Sequence, residues 1–349
     1  MSTMRAARLY GPRDIRVQTV PVPEIGPGEL LLRVKAATVC GTDLRMFGFG
    51  ANGVDENHPL TLCHEFAGVI EKTGPGVDGF EPGERVSVAP NIGCGRCFSC
   101  VSGQSHHCET LSALGVHMDG GFAEYVKIPA RAVVLGNVVP LPETVSFAAA
   151  AANEALSCVY SSFERYAVRP GDTVAVIGAG AIGLMHAKLC RMAGAAKIIL
   201  NDLSEERLKT CAWIEPNIIA VKDGLPEVLR EITHGRGADV VITACGAAAA
   251  QKAAFDLAAR DGRVNFFGGL PAGRECVELN TNQIHYKQLT VLGTTRSSPF
   301  HYRQTLNLIA DGLIDVDALI THRFALEDIR AAFENAEKAV GLKQCVAFP

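Results

Sequence analysis

The chain has 349 residues, 48% hydrophobic and 20% charged, with a formal charge of −4. That length exceeds one ordinary core and predicts two domains of a globular protein. The acidic balance excludes a large nucleic-acid or anionic-membrane surface, and the longest apolar runs are broken by charges or glycines, which excludes a membrane span.

Met1-Ser2-Thr3-Met4-Arg5-Ala6 lacks the apolar stretch of a secretory signal, so a cytoplasmic, reducing location is expected. In such a compartment the twelve cysteines read as metal ligands, core thiols or nucleophiles rather than disulfides. The first 150 residues read as short strands, among them Leu30–Val34 and Ala67–Glu71. Pro21, Pro23, Pro27, Gly74-Pro75-Gly76 and Pro82-Gly83 punctuate them as turns. An alanine-rich helix begins at Ala148–Ala152. Strands and helices then alternate: strand Thr173–Ile177, helix Ala181–Ala193 stopped at Gly194, strand Ile198–Leu200, and a helix opened by Ser204 and two glutamates. Strands Asp239–Ile242 and Arg263–Phe267 follow, with helix Gln251–Ala259 between them. This alternation predicts a doubly wound parallel sheet. After about residue 290 it weakens, leaving helices Phe300–Ala310 and Leu326–Ala339 and a last strand Leu342–Phe348. We therefore expect a β-rich domain of residues 1–150 completed by 291–349, with an α/β nucleotide-binding domain, 151–290, inserted between them.

Gly178-Ala179-Gly180-Ala181-Ile182-Gly183 is a G-x-G-x-x-G sequence between a predicted strand and a predicted helix. The first glycine permits a tight turn, the second lets the backbone approach a pyrophosphate, and the third allows close packing. The helix N-terminus offers N–H groups to the phosphates. Asp202 ends the next strand, where a carboxylate accepts hydrogen bonds from ribose hydroxyls and repels a 2′-phosphate; this favours NAD over NADP. Arg207, five positions on, pulls the other way.

Cys94, Cys97, Cys100 and Cys108 have the spacing C-x2-C-x2-C-x7-C. Four thiolates so close suit a tetrahedral zinc with no open position, a structural site. An iron–sulfur cluster uses similar spacing, and a zinc ribbon binding nucleic acid is a further alternative that the acidic charge balance disfavours. Three more segments carry metal-ligand chemistry: Cys40-Gly41-Thr42-Asp43, His64-Glu65, and Glu154. Thiolate, imidazole and carboxylate form a set suited to a zinc that keeps a position free for substrate, although spacing alone does not assemble them.

With His64-Glu65-x2-Gly68-x5-Gly74-x2-Val77, Gly83-Glu84-Arg85-Val86 and Gly120-Gly121-Phe122-Ala123-Glu124-Tyr125, the chain resembles the zinc-dependent medium-chain dehydrogenase superfamily over essentially its whole length. The resemblance implies a GroES-like β-rich catalytic domain joined to a Rossmann domain. It implies a catalytic zinc held by Cys40, His64 and Glu154, with Glu65 beside it, and a relay of the substrate proton through Thr42. Glu154-Ala155-Leu156-Ser157 resembles the polyol (sorbitol-type) and threonine dehydrogenases, where a glutamate replaces the cysteine of the liver-type enzymes. The implied cofactor contacts also include Gly268, Gly269, Leu270, Gly293, Thr294 and Thr295.

The implied activity is NAD-linked oxidation of a secondary alcohol in a polyol, cyclitol or sugar derivative. A threonine-type amino-alcohol dehydrogenase and a catalytically silent, zinc-stabilised nucleotide-binding protein are the alternatives. The expected partners are two zinc ions, NAD and a small-molecule substrate, with no nucleic acid and no membrane; by resemblance the chain forms a homodimer or homotetramer. Three positions depart from the family: Cys63 stands where a glycine is usual, Arg45 where a proton-relaying histidine is common, and Glu215-Pro216 where Gly-Ala is usual. Arg45 and Arg296 are candidates to bind an anionic substrate such as a sugar phosphate or sugar acid, or else are solvated. His58, His117 and His285 read as structural rather than zinc-bound.

Overall fold

Inward apolar residues alternating with partly exposed ones, as in Thr3–Gly11, and glycine turns between short strands give the N-terminal part its β character. In the computed structural model, residues 2–349 are described. The chain divides into one unit of Met1–Ser157 with Arg296–Pro349 and another of Cys158–Thr295.

In the first unit, Leu30–Thr38 is the centre of a seven-stranded sheet, flanked on one side by Phe66–Thr73, Arg85–Val88 and Val138–Pro140. On its other side lie Lys343–Ala347 and then Ile320–Phe324 from the far end of the chain, and Tyr125–Ile128 also pairs with it. Thr3–Gly11, Asp14–Pro21 and Leu60–Thr61 make a smaller antiparallel sheet. The core between them is built on Phe66, Phe122 and Phe333, with Phe333 edge-on to Phe47 at 5.1 Å and to Phe122 at 5.7 Å. The helix Gly41–Phe49 was not anticipated among these strands; it buries Asp43, Met46 and Phe47.

The alanine-rich helix runs from Phe147 to Tyr166 and crosses the division between the units. Ala148 and Ala151 pack against Ala36 and Cys345 of the β-sheet, so the start of this helix, with Glu154, belongs to the first unit. Boundaries expected at 150 and 290 therefore fall at 157 and 295.

The second unit has six parallel strands in the order Ile219–Val221, Lys197–Asn201, Thr173–Ile177, Ala238–Thr243, Ala258–Phe266, Thr290–Gly293. The order reverses between Thr173–Ile177 and Ala238–Thr243, the switch point at which such sheets bind ligands beyond the strands' carboxyl ends. The helix expected over 251–259 spans Ala248–Leu257, and its last predicted residues join the following strand. Leu326–Ala339 resolves into a short 3-10 turn and the helix Ile329–Glu337. No helix among the described residues is long and apolar enough to cross a membrane.

Candidate active site and second metal site

Cys40 caps the helix Gly41–Phe49 immediately after the central strand. Buried Asp43, one turn in, accepts the N–H of Cys40 at 2.9 Å and that of Cys63 at 3.1 Å. One carboxylate thus ties together the two segments that carry Cys40 and His64. Cys63 holds a left-handed φ of 82°, a conformation that favours glycine. Its carbonyl accepts Gly121 N–H at 2.9 Å, and a Cβ on Gly115 or Gly120 would lie 2.2 or 2.0 Å from that oxygen. The Gly120-Gly121 pair lets the chain close over the back of the His64 segment.

The ligand atoms of Cys40, His64 and Glu65 all lie within 4.8 Å of one another. Glu154 stands just outside that set, with Oε2 4.0 Å from His64 Nε2. It is held from several directions. Asn153 donates to the Tyr302 carbonyl at 3.0 Å, and the Tyr302 hydroxyl meets Ser87 Oγ at 2.5 Å. Ser157 donates to the Glu154 carbonyl at 2.6 Å and pairs with Ser297 at 2.7 Å.

Glu65 is fully buried and divided in its contacts. Oε2 receives the Thr38 hydroxyl and, at 2.5 Å, the ammonium of Lys343; Oε1 is buried with no hydrogen-bond partner among the described residues. His64 Nδ1 likewise has none, with Asp43 Oδ1 4.0 Å away. Burial pushes the Cys40 thiol and the Asp43 carboxyl up. Burial opposes charge on His64 too, but Cys40, Asp43 and Glu154 raise its pKa well above the ordinary value. A buried set of a thiol, an imidazole and carboxylates, with polar atoms left unpaired, fits a divalent cation such as zinc.

The four-cysteine lobe is a second, independent set. Cys94, Cys97, Cys100 and Cys108 also lie within 4.8 Å of one another, with the Cys94 and Cys100 sulfurs 4.0 Å apart. A single ion with ligands at about 2.3 Å holds sulfurs about 4 Å apart, so this spacing fits one zinc rather than a multi-iron cluster. Backbone N–H groups of Arg96 and Cys97 draw the Cys94 thiol down to about 6. The Cys100 N–H acts likewise on Cys97, but the neighbouring thiols outweigh it and push Cys97 up to about 11. Gly93 is required there, since a Cβ would lie 2.6 Å from Cys100 Sγ.

In the second unit, Gly178 ends the strand Thr173–Ile177 with φ 114° and Gly180 caps the helix Ala181–Met192. A Cβ on Gly183 would sit 1.8 Å from the Gly178 carbonyl oxygen. The third glycine is thus demanded chiefly by the loop's own backbone. Asp202 follows the next strand; its Oδ2 accepts Ala179 N–H at 2.7 Å and its Oδ1 Ser204 N–H at 2.8 Å. Ser204 caps its helix through Arg207 N–H at 3.3 Å, and the Arg207 guanidinium reaches to 3.8 Å from where a Cβ on Gly180 would stand. Thr294 Oγ1 is buried without a partner among the described residues, while Thr295 is exposed and Gly269 and Leu270 lie on an open loop.

Arg45 and Arg296 are exposed, and neither guanidinium has a hydrogen-bond or ion-pair partner among the described residues. Thr42, Arg45 and Phe49 share the face of their helix opposite the buried Asp43, Met46 and Phe47. His58 pairs with Asp55 at 3.1 Å and His117 Nδ1 accepts Ala113 N–H at 3.1 Å, both structural roles; His285 sits in the helix Asn282–Lys287. The sequence reading missed Asp43, Thr38 and Lys343. The only local signal was the aspartate three residues after Cys40.

Family models match both parts of the chain. Residues 26–143 match the alcohol dehydrogenase GroES-like domain and residues 181–311 the zinc-binding dehydrogenase domain. The L-threonine 3-dehydrogenase of Bacillus licheniformis is 35% identical over 325 residues, covering 92% of each chain. The sorbitol dehydrogenase of Bacillus subtilis is 34% identical, covering 95% of this chain and 93% of that one. A crystal structure from Sinorhizobium meliloti, described as a zinc-binding dehydrogenase bound to NADP, superposes with a TM-score of 0.89 at 34% identity over the full length of both chains. The chain belongs to the zinc-dependent medium-chain dehydrogenase superfamily. It is a zinc- and nicotinamide-dinucleotide-dependent alcohol dehydrogenase with a GroES-like and a Rossmann-type fold.

Proposed function

We propose that this enzyme oxidises a secondary alcohol of a polyol, cyclitol or sugar derivative with NAD. The observation that carries the reading is the Glu154 carboxylate, 4.0 Å from His64 Nε2 beside the Cys40–His64–Glu65 set. Cys40, His64 and Glu154 would hold the catalytic zinc with Glu65 adjacent, and Cys94, Cys97, Cys100 and Cys108 a structural one. When bound at the first site, zinc supplies Lewis acidity that lowers the pKa of a substrate hydroxyl. NAD supplies the hydride acceptor.

The chain's own groups do the rest. Thr42 Oγ1 takes the hydroxyl proton and passes it outward. Arg45 in place of a histidine offers only donors and no acceptor to extend that relay, so the proton passes from Thr42 to a ribose hydroxyl or water. Gly178, Gly180, Ile182 and Gly183 hold the pyrophosphate at the helix N-terminus, where a larger residue at the third glycine would meet backbone. Asp202 accepts from the adenosine ribose and disfavours a 2′-phosphate; Arg207 beside Gly180 weakens that preference without reversing it. Thr294, Thr295, Gly269 and Leu270 line the remaining cofactor contacts, and Arg45 and Arg296 face substrate. The enzyme works in the cytoplasm as a homo-oligomer.

A second reading, oxidation of threonine, is favoured by the 35% identity to an L-threonine 3-dehydrogenase. A screen of NADH formation with sugar alcohols, inositols, sugar acids, sugar phosphates and threonine separates the two. The expected result is higher kcat/KM for a member of the polyol group; a threonine value exceeding all of them would replace the first reading with the second.

A further inference from the structure

A buried ion pair lies behind the Cys40–His64–Glu65 set. Lys343 opens the strand Lys343–Ala347, which pairs antiparallel with Leu30–Thr38 through Cys345 opposite Thr38. Continuing that register sets Lys343 across from Cys40. Its ammonium reaches Glu65 Oε2 at 2.5 Å and donates to the Val39 carbonyl at 3.2 Å, one residue before Cys40. Both side chains are buried, Lys343 at 7% and Glu65 at 0% exposure. Buried pairs give little net stability over apolar residues of similar volume, so stability alone is a poor account of this lysine.

The division of Glu65 supplies a better account. Thr38 and Lys343 both hold Oε2, while Oε1 is buried and unpartnered in the set with Cys40 and His64. The local charge balance points the same way. A Cys40 thiolate and a Glu154 carboxylate already offset a divalent ion, and Glu65 would add a third negative charge. We propose that Lys343 is a positioning residue that cancels the charge of Glu65 and restrains its Oε2. Only Oε1 then remains available to the metal, which keeps its electrophilicity and an open position for substrate. This inference rests on the metal-site reading above.

Replacing Lys343 by Met leaves Oε2 held by the Thr38 hydroxyl alone and removes the charge that offsets the carboxylate, so Glu65 turns to chelate the ion through both oxygens. Two consequences run in opposite directions, which a merely structural lesion would not produce. The metal is held more tightly, with dissociation to a chelator slowed about tenfold by the added attraction. Yet kcat falls about ten- to hundredfold, the usual scale for removing a group behind a metal ligand.

The test uses the full chain with cobalt(II) exchanged into the catalytic site. In Lys343→Met the visible cobalt absorption is expected to weaken as coordination number rises, with slower metal loss and lower kcat; Lys343→Arg should restore all three. Lys343→Gln, which keeps a hydrogen-bond donor without charge, carries the test should the Met variant not fold. Unchanged cobalt spectra and metal-loss rates in the neutral variants, or faster loss, would overturn the proposal. Failure of the wild-type chain to bind cobalt at Cys40, His64 and Glu154 would instead overturn the metal-site reading itself.

Discussion

Asp43 offers the sharpest mutational handle on the metal centre, because a single carboxylate accepts from Cys40 and Cys63 and faces His64. Asp43→Asn keeps the shape but turns one acceptor oxygen into a donor. One of the two backbone N–H groups then loses its partner in a fully buried place, which costs about 1–3 kcal/mol. The loosened segments carry ligands, and disturbance of a group behind a metal ligand lowers metal affinity about 10–100-fold. The assay is zinc release to a chromogenic chelator, which should show two phases in the wild type. The cysteine lobe is held by its own N–H···S contacts, such as Cys97 N–H to Cys94 Sγ at 3.3 Å, and serves as the internal control. Only the phase belonging to the Cys40 centre should accelerate. Equal acceleration of both phases, or of neither, would refute the linkage drawn from Asp43 to the ligands.

His186, buried beside the Tyr166 hydroxyl at 2.9 Å, has its pKa pushed down to about 3 by burial. Its unfolded value is about 6.5, so the neutral form's contribution is complete above that pH and is lost as pH falls from about 6.5 towards 3. Between pH 7 and pH 5, urea unfolding of the wild type should lose about 2 kcal/mol that His186→Gln does not; equal losses would contradict this. Gly183→Ala must displace the Gly178 carbonyl, so NAD binding by fluorescence titration should weaken at least about tenfold. Asp202→Ala should lower the ratio of NAD to NADP kcat/KM, and an unchanged ratio would remove Asp202 from cofactor choice. Cys100→Ser should remove one of two zinc ions measured by mass spectrometry and lower the melting temperature.

What could be read from the sequence was what is local in it. The glycine loop and the four-cysteine lobe are each confined to a few consecutive residues, and strand Thr173–Ile177 falls where the pattern places it. The parallel sheet followed from alternation, a regularity that survives errors of two or three residues at each boundary. The helix Gly41–Phe49 was hidden because three glycine or β-branched positions obscure its period, and because its N-cap is a cysteine rather than one of the usual capping residues. Lys343 was hidden for another reason. Its role exists only because the last strand pairs with Leu30–Thr38 and sets an ammonium beside Glu65, a contact spanning most of the chain. Glu154 could be singled out only through family resemblance; the structure adds the Asn153–Tyr302 and Ser157–Ser297 contacts that fix it.

The central claim is that alcohol oxidation runs through the Cys40–His64–Glu154 centre. It is tested most directly by NADH formation from the best secondary-alcohol substrate as the metal is removed from that centre and restored, with the cysteine-lobe zinc left in place. The account predicts that activity disappears with the first metal and returns in proportion to zinc re-bound there. Undiminished NADH formation by protein lacking that metal would contradict it.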